Sequence, residues 1–310
     1  MRWSRRGFLL LLGSLIGAVC LAQEPPPKRY LGSEICRACH AELWAGFTGN
    51  AHFRSVASGR EPPERTGCEG CHGPGRDHIR GAGDKSKIRV FGELEPAAVI
   101  EACLECHADD FPRSQIRRSS HTLAGVACTS CHSIHSSPET QYLLARTQQE
   151  VCYGCHPGVR AQFAMPFKHR VNEGSVKCTD CHNPHGAAAP PWRMGLRPRM
   201  TRARLGNEEP CLKCHADKRG PFAFAHPPVR VEGCEVCHAP HGSMNPRLLR
   251  RPAVFTLCLE CHTGLGNFGR QGDGIRRTSR THNMADPRYR NCTACHVRIH
   301  GSNSDRRFLR

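Results

Sequence analysis

One five-residue pattern, Cys-x-x-Cys-His, occurs ten times in this 310-residue chain and limits what the chain can fold into. It is the attachment signature of c-type haem, in which two thiols form thioethers with the porphyrin and the adjacent histidine can bind the iron. The ten motifs use 20 of the 21 cysteines. Zinc sites and disulfides also use Cys-x-x-Cys pairs, but neither requires a histidine after every pair. The pattern therefore predicts ten covalently attached c-type haems.

The predicted haem-binding residues form two regular sets, and each motif and its haem are numbered 1 to 10 in chain order. The cysteines predicted to attach the haems are Cys36, Cys39, Cys68, Cys71, Cys103, Cys106, Cys128, Cys131, Cys152, Cys155, Cys178, Cys181, Cys211, Cys214, Cys234, Cys237, Cys258, Cys261, Cys292 and Cys295. The histidines predicted to bind iron on the proximal side are His40, His72, His107, His132, His156, His182, His215, His238, His262 and His296.

Ten of the 20 histidines lie outside the motifs, and they are the candidates for the second, distal iron ligand. These are His52, His78, His121, His135, His169, His185, His226, His241, His282 and His300. Ten motifs and ten remaining histidines predict bis-histidine ligation with no open coordination position. Methionine, the alternative axial ligand in some cytochromes, keeps no fixed offset from the motifs.

The distal candidates alternate along the chain in a way that indicates five two-haem repeats. One follows each odd-numbered motif in the connecting segment, and one follows closely behind each even-numbered motif. Three even-numbered motifs read Cys-His-x-x-His, whereas His78 has the least regular spacing. A histidine three residues after a proximal histidine lies on the same side of that haem, so we expect it to bind a neighbouring haem. The spacing leaves open which distal histidine serves which iron.

The composition is poor in the residues that form an ordinary core, with 38% hydrophobic and 6% aromatic residues. Ten apolar macrocycles would supply the missing core, so we expect the chain without haem to be largely unfolded. The predicted fold class is mainly short α-helices and irregular loops around a covalent haem core. We expect an elongated multihaem cytochrome c with little or no β-sheet. Helix-like segments precede several odd-numbered motifs, and turn-like segments precede the even-numbered ones.

The formal net charge of +17 would ordinarily suggest nucleic acid or an anionic membrane as a partner. Each c-type haem carries a charge of about −1 to −2 when its propionates are ionised, and this offsets most of the protein's charge. Many arginines and lysines are then expected to be propionate partners, and nucleic-acid binding is not predicted.

The chain divides into four predicted segments. Residues 1–22 have the basic start, apolar run and small terminal residue of a signal peptide, by the general secretory or the twin-arginine route. Residues 23–186 hold motifs 1–6, residues 187–210 form a Pro-rich basic linker, and residues 211–310 hold motifs 7–10. After residue 22 no apolar run approaches the roughly 20 residues of a membrane-spanning helix, so we expect no unaided crossing of a bilayer.

The sequence resembles the decahaem c-type cytochromes of outer-membrane electron conduits (the MtrA, PioA and DmsE type). The resemblance extends over the mature chain and is strongest in CTDCHNPHG, in CHADKRGPFAFAHPPVRVEGCEVCHAPHGSMN and in CTACHVRIHGSN. It implies export to the periplasm and a bis-histidine haem wire held inside an outer-membrane β-barrel partner. It also implies a periplasmic or inner-membrane quinol-oxidising cytochrome at one end, and an outer-surface multihaem cytochrome or terminal reductase at the other.

Four functions remain open at this level, the least favoured being a structural or nanowire protein held together by its haems. The leading interpretation is an electron-transfer protein that carries electrons across the outer membrane for metal reduction or iron oxidation, and it is not an enzyme. A soluble periplasmic electron shuttle to a terminal reductase has the same chemistry. A multihaem reductase enzyme is the alternative of another class, and it would need at least one iron without a second histidine. The direction of electron flow and the haem potentials are not encoded in the motifs.

Overall fold

The computed structural model describes residues 29–110, 113–186, 210–262, 282 and 286–309. The predicted signal peptide and nearly all of the predicted linker lie outside these described residues. Within them the chain is a succession of short helices and irregular loops, and its one sheet has two strands of two residues each. The predicted fold class of short helices with little sheet is confirmed.

The α-helices are short because the motifs and turns divide the chain into small units. The longest in the described part is α5, with nine residues. In chain order the α-helices are α1 Ala41–Thr48, α2 Phe53–Ser58, α3 Gly67–His72, α4 Arg76–Arg80, α5 Pro96–Leu104, α6 Arg113–Ile116, α7 Ser120–Leu123, α8 Gln148–Cys155, α9 Pro157–Gln162, α10 Cys178–Cys181, α11 Pro227–Val231 and α12 Val254–Leu259.

Short 3-10 turns occupy much of the remaining chain. They are Ser33–Ala38, Pro63–Arg65, Lys85–Lys87, Phe91–Glu93, Cys128–Ser130, Pro210–Lys213, Ala216–Lys218, Cys234–Val236, Pro246–Leu248, Pro287–Arg290 and Cys292–Ala294. Strand β1, Phe224–Ala225, pairs antiparallel with β2, Gly301–Ser302, so that the segment before His226 lies beside the segment after His300.

No helix in the described part of the chain is both long enough and apolar enough to cross a membrane.

The helices predicted before odd-numbered motifs are present as α5, α8 and α12. Helix α5 begins with proline at its first position, where the missing N–H costs no hydrogen bond. Helix α8 begins with a capping box, in which the Glu150 carboxylate accepts hydrogen bonds from the backbone N–H and the hydroxyl of Thr147. Both helices run directly into a motif, so the start signals in the sequence also fix where the motif cysteines project.

The hydrophobic core formed by the protein itself is small. One cluster is built around α5, whose residues Val99, Ile100 and Leu104 pack with Ile116 and Ala127. Across the described residues only nine hydrophobic residues are buried. This agrees with a chain whose sequence is too poor in large apolar side chains to form an ordinary globular core.

Residues 74–96, which connect motifs 2 and 3, form short helical elements. They include α4 and the 3-10 turns Lys85–Lys87 and Phe91–Glu93. The Asp84 side chain accepts from the Ser86 amide at 2.9 Å, and the Asp84 carbonyl accepts from His78 Nδ1 at 2.9 Å. The segment therefore orients a distal candidate as well as connecting two motifs.

Candidate haem sites

Each Cys-x-x-Cys-His motif forms a single helical turn. In nine motifs the amide of the motif histidine donates to the carbonyl of the first cysteine at 2.9–3.0 Å, as in His40 to Cys36 and His107 to Cys103, and motif 2 lies within α3. Residues at i, i+3 and i+4 lie on one face of such a turn. The two thiols and the imidazole of each motif are therefore presented together on one side of the backbone. None of the twenty motif cysteines, all within the described ranges, forms a disulfide.

Every proximal histidine faces one distal candidate, and this is the main geometric result. The centroids of the two imidazole rings are 5.8–6.3 Å apart in all ten pairs. In motif order the pairs are His40 with His78, His72 with His135, His107 with His52, His132 with His185, His156 with His121, His182 with His241, His215 with His169, His238 with His300, His262 with His226 and His296 with His282.

The separation can be compared with what a shared metal ion requires. A metal–imidazole nitrogen bond is ~2 Å long, and the centre of a five-membered ring with bonds of ~1.35 Å lies ~1.1 Å beyond that nitrogen. Two rings bound on opposite sides of one metal would thus have centroids roughly 6.3 Å apart by the same bond lengths. The residues present fit an iron held between the two rings of each pair.

The pairs join different repeats in a fixed pattern. The distal candidates that follow odd-numbered motifs, such as His121 and His169, face the proximal histidine two motifs further along the chain. Those behind even-numbered motifs, such as His185 and His241, face the proximal histidine two motifs back. Only the two ends differ, because His78 and His282 face proximal histidines of their own repeats. Each inner repeat thus contributes one ring forwards and one ring backwards.

Burial and mutual repulsion favour the neutral form of several distal rings. Burial lowers the pKa of six distal histidines, and the facing proximal histidine lowers the pKa further, with Lys218 adding to the effect at the last of them: His52, His135, His185, His226, His241 and His300. A neutral imidazole has the free lone pair that metal binding requires. The packing of the chain therefore favours the protonation state that binds iron.

Backbone carbonyls hold several proximal rings in one orientation, and we call each such hydrogen bond a backbone clamp. The sequence analysis did not predict these contacts. The Nδ1 atoms of His72, His132, His238 and His296 lie 2.5–2.9 Å from carbonyl oxygens of downstream segments. Such a bond fixes the ring orientation and the tautomer, leaving Nε2 for the metal.

Three of the clamps share an unusual backbone turn. Leu143, Leu248 and Phe308, at equivalent positions one residue after the accepting carbonyl, have φ of 54°, 58° and 59°. Non-glycine residues rarely adopt this left-handed conformation. The recurring Leu-Leu or Phe-Leu followed by arginine (LLAR, LLRR, FLR) behind motifs 4, 8 and 10 is the signal that could have predicted these clamps.

The distal rings are tied to the neighbouring repeat by a related contact. Nδ1 of His121 lies 3.1 Å from the Pro184 carbonyl, directly before distal His185. Nδ1 of His169 lies 2.7 Å from the Pro240 carbonyl, directly before distal His241. One hydrogen bond thus connects the segments that carry the distal candidates facing motifs 4 and 5, and another connects those facing motifs 6 and 7.

The first cysteines of the two motifs in a repeat lie next to each other. A hydrogen bond between the Cys36 and Cys68 thiols raises the pKa of Cys36 and lowers that of Cys68 to about 6. The same contact joins Cys103 to Cys128 and lowers the pKa of Cys128 to about 7. Equivalent contacts join Cys152 to Cys178 and Cys258 to Cys292. With haem attached these sulphur atoms are thioethers, so the contacts report which attachment points are adjacent.

The second cysteines connect one repeat to the next. The pKa of Cys71 is raised by burial and then by Cys106, and that of Cys131 by burial and then by Cys155. Cys237 and Cys261 join the last two repeats in the same way, whereas Cys181 is affected by both cysteines of motif 7, Cys211 more than Cys214. First cysteines within a repeat, and second cysteines between most repeats, therefore lie near each other, so that the haem attachment sites follow one another in chain order.

Three protein-family models match the chain. The doubled CXXCH motif matches residues 121–161 and 226–267, cytochrome c7 and related cytochrome c matches 163–239, and cytochrome c554 and c-prime matches 78–133. Together with the motif turns and the facing histidines, these matches define the protein as a multihaem c-type cytochrome. Its cofactors are c-type haems, whose iron would be held by the motif histidines.

Comparison with individual proteins identifies the family. The chain is 34% identical over 287 residues to the multihaem cytochrome MtrA of Shewanella baltica, in an alignment covering 88% of this chain and 79% of that protein. The protein belongs to this MtrA family of electron-transfer cytochromes, as the resemblance in its sequence indicated. A shorter match, 27% identical over 134 residues, covers 38% of the chain and 66% of the cytochrome c-type protein NrfB of Escherichia coli.

Proposed function

We propose that the chain holds ten c-type haems and that each pair of facing histidines binds one iron. The observation that carries this proposal is the regular separation of 5.8–6.3 Å in every pair. In this arrangement the motif cysteines attach the haems covalently, and the clamped Nδ1 atoms fix the rings. When bound, c-type haem supplies reversible one-electron chemistry, with a potential set by the axial ligands and their hydrogen bonds.

Saturated ligation favours electron transfer over substrate chemistry. A reductase must leave a coordination position of at least one iron open for its substrate, whereas ten pairs use two histidines for each of ten irons. The alternating cysteine contacts support electron movement along the chain from one attachment site to the next. Burial and the hydrogen bonds that hold the rings limit reorganisation when an electron arrives, which is the protein's contribution to fast transfer.

We infer further that the protein transfers electrons across the outer membrane inside a β-barrel partner. Membership of the MtrA family and an N-terminal segment with the pattern of an export signal support this location. The donor is a periplasmic or inner-membrane quinol-oxidising cytochrome, and the acceptor is an outer-surface multihaem cytochrome or a terminal reductase. A polar protein held together by its haems is suited to the polar interior of a barrel.

The location is tested by purifying the cytochrome from outer membranes of its host in mild detergent. A large β-barrel protein is expected to accompany it at about one to one by mass spectrometry. The complex in liposomes is expected to carry electrons from an external reductant to an enclosed acceptor. A monomer confined to the periplasmic fraction, with no transfer, would contradict the conduit and favour the soluble shuttle to a terminal reductase.

Ligation is tested at His78, the distal candidate with the least regular spacing. His78→Ala is expected to convert one haem of the ten from low spin to high spin in the electron paramagnetic resonance spectrum, because His40 would be left without its partner. Asp77→Ala changes the exposed neighbouring residue of α4 and should leave every haem low spin. A high-spin haem in the unsubstituted protein would contradict full ligation and revive the reductase alternative.

A further inference from the structure

The haem proposed to lie between His52 and His107 has a hydrogen-bonding environment unlike its neighbours. His107 Nδ1 lies 2.5 Å from the Asp110 carboxylate oxygen Oδ2. The clamped proximal rings described above, His72 and His132 among them, have neutral backbone carbonyls in that place. A carboxylate three residues behind the motif histidine is a local feature that the backbone clamp does not explain.

The opposite ring of this haem also differs. His52 Nδ1 is buried and has no hydrogen-bond partner among the described residues. The equivalent carbonyl, that of Ile134 directly before distal His135, is occupied by the Asn50 amide at 2.6 Å. In the later repeats that position is taken by the distal imidazole itself, as His121 shows with Pro184. Asn50 thus removes the acceptor that would otherwise hold His52.

The two ring planes of this pair are 84° apart, whereas those of His72 and His135 are 10° apart. The anchoring differs as well, because His107 Nδ1 lies against its own carboxylate and His52 Nδ1 is not held by a downstream carbonyl. Near-perpendicular imidazole planes give a low-spin ferric haem an unusually anisotropic paramagnetic resonance signal. This pair has the largest angle of the ten, the next being 68° for His169 and His215, so its signal is expected to be the most anisotropic.

A carboxylate acceptor changes the imidazole as an iron ligand. The charge-assisted bond is roughly twice as strong as one to a neutral carbonyl. It draws the Nδ1 proton towards the oxygen and makes Nε2 a stronger electron donor to the metal. Stronger donation and a nearby negative charge both stabilise ferric over ferrous iron. The missing acceptor on His52 acts in the opposite sense, but only through the loss of a neutral and therefore weaker bond.

We propose that Asp110 is a positioning and tuning residue that lowers the reduction potential of haem 3 through His107. Haem 3 lies in the path between its neighbours, because its Cys106 lies near Cys71 of haem 2 and its Cys103 is hydrogen-bonded to Cys128 of haem 4. An electron that follows the chain must occupy it. Asp110 then sets the reduction potential of a haem that every electron passing between the first three haems and the rest must occupy.

The test compares Asp110→Asn with Asp109→Asn in the full holo-protein, each shown by mass to carry all its haems. Asp109 is the adjacent exposed acid, so its substitution removes the same charge without breaking the bond to His107. In a spectroelectrochemical titration, Asp110→Asn is expected to make reduction of one haem in ten roughly tenfold more favourable. This is the lower end of the ~10–100-fold effect that partners of metal ligands have on metal affinity, because both side chains are partly exposed. A tenfold change corresponds to ~59 mV for a one-electron couple.

The anisotropic resonance signal should change in Asp110→Asn and stay unchanged in Asp109→Asn. Equal shifts in the two variants, or none in either, would overturn the role of Asp110. The inference rests on the proposed ligation of haem 3, which His52→Ala tests separately through the appearance of one high-spin haem. A spin change in His52→Ala together with an unaltered Asp110→Asn titration would reject the tuning role alone. No spin change in His52→Ala would reject the ligation itself.

Discussion

The buried carboxylate of Glu69 should hold the start of the described chain onto the second motif. Glu69 stands between the two cysteines of that motif and is 3% exposed. Its oxygens accept hydrogen bonds from the amides of Leu31 at 2.8 and 3.0 Å, Gly32 at 2.6 Å and Gly75 at 2.7 Å. Because three backbone donors converge on one charge, Glu69→Ala would leave all three without an acceptor.

The size of the effect follows from these contacts. A hydrogen bond to a charged group contributes about 1.5–3 kcal/mol, and an unsatisfied buried donor costs ~1–3 kcal/mol. The amides of Leu31 and Gly32 can regain water if the segment detaches, so the loss is bounded by the cost of local opening. A loss of ~3 kcal/mol is expected, which corresponds to roughly a hundredfold larger open population since each ~1.4 kcal/mol is a factor of ten.

Amide hydrogen exchange, measured residue by residue on the holo-protein, tests this predicted increase in local opening. The amides of Leu31, Gly32 and Gly75 are expected to exchange ~100 times faster in Glu69→Ala, because exchange follows the open population. Glu34→Ala is the matched control, since it removes an exposed acid from the same segment. Unchanged exchange at these three amides, with all haems still attached, would refute the reasoning.

Three further outcomes are expected. A Cβ added at Gly242 would overlap the carbonyl oxygen of Gln162, so Gly242→Ala should displace adjacent His241 and yield one high-spin haem, whereas Gly158→Ala, which meets nothing within 4 Å, should not. Glu150→Ala removes the capping box of α8 and should speed exchange of its first-turn amides about fivefold, for a cost of ~1 kcal/mol; no change would exclude a capping role. Chain produced without haem attachment should show no cooperative unfolding by circular dichroism, because so few apolar residues are buried; a cooperative transition would contradict the haem-dependent core.

The sequence could predict the identity of the candidate ligands but not how they combine. Cys-x-x-Cys-His is a local pattern, because one helical turn suffices to bring its thiols and imidazole together. The prediction of two histidines for each iron required only a count, because the motifs and the remaining histidines are equal in number. The pairing of His169 with His215 or of His132 with His185 depends instead on which repeat packs against which, and spacing does not encode this.

The sequence did not predict the features of the site that depend on backbone conformation. The clamp on His132 uses the carbonyl of Tyr142, and any residue can supply a carbonyl. Its signal lies in the turn that follows, where Leu143 adopts a left-handed φ. Asp110 was visible as an acid behind a motif, yet many exposed acids lie near motifs. Only its distance from His107 singles it out.

The exchange of histidines between repeats bears on how such a chain can change in length. Each inner repeat gives one ring to the repeat behind it and one to the repeat ahead, while His78 and His282 close the two ends within their own repeats. An additional repeat inserted in the middle would receive and supply ligands by the same rule, and neither end would need to alter. A single inserted motif would leave one ring without a counterpart. Growth or shortening by two haems at a time is therefore the natural step for this architecture, and the end repeats act as caps, as the terminal units of other repeat proteins do.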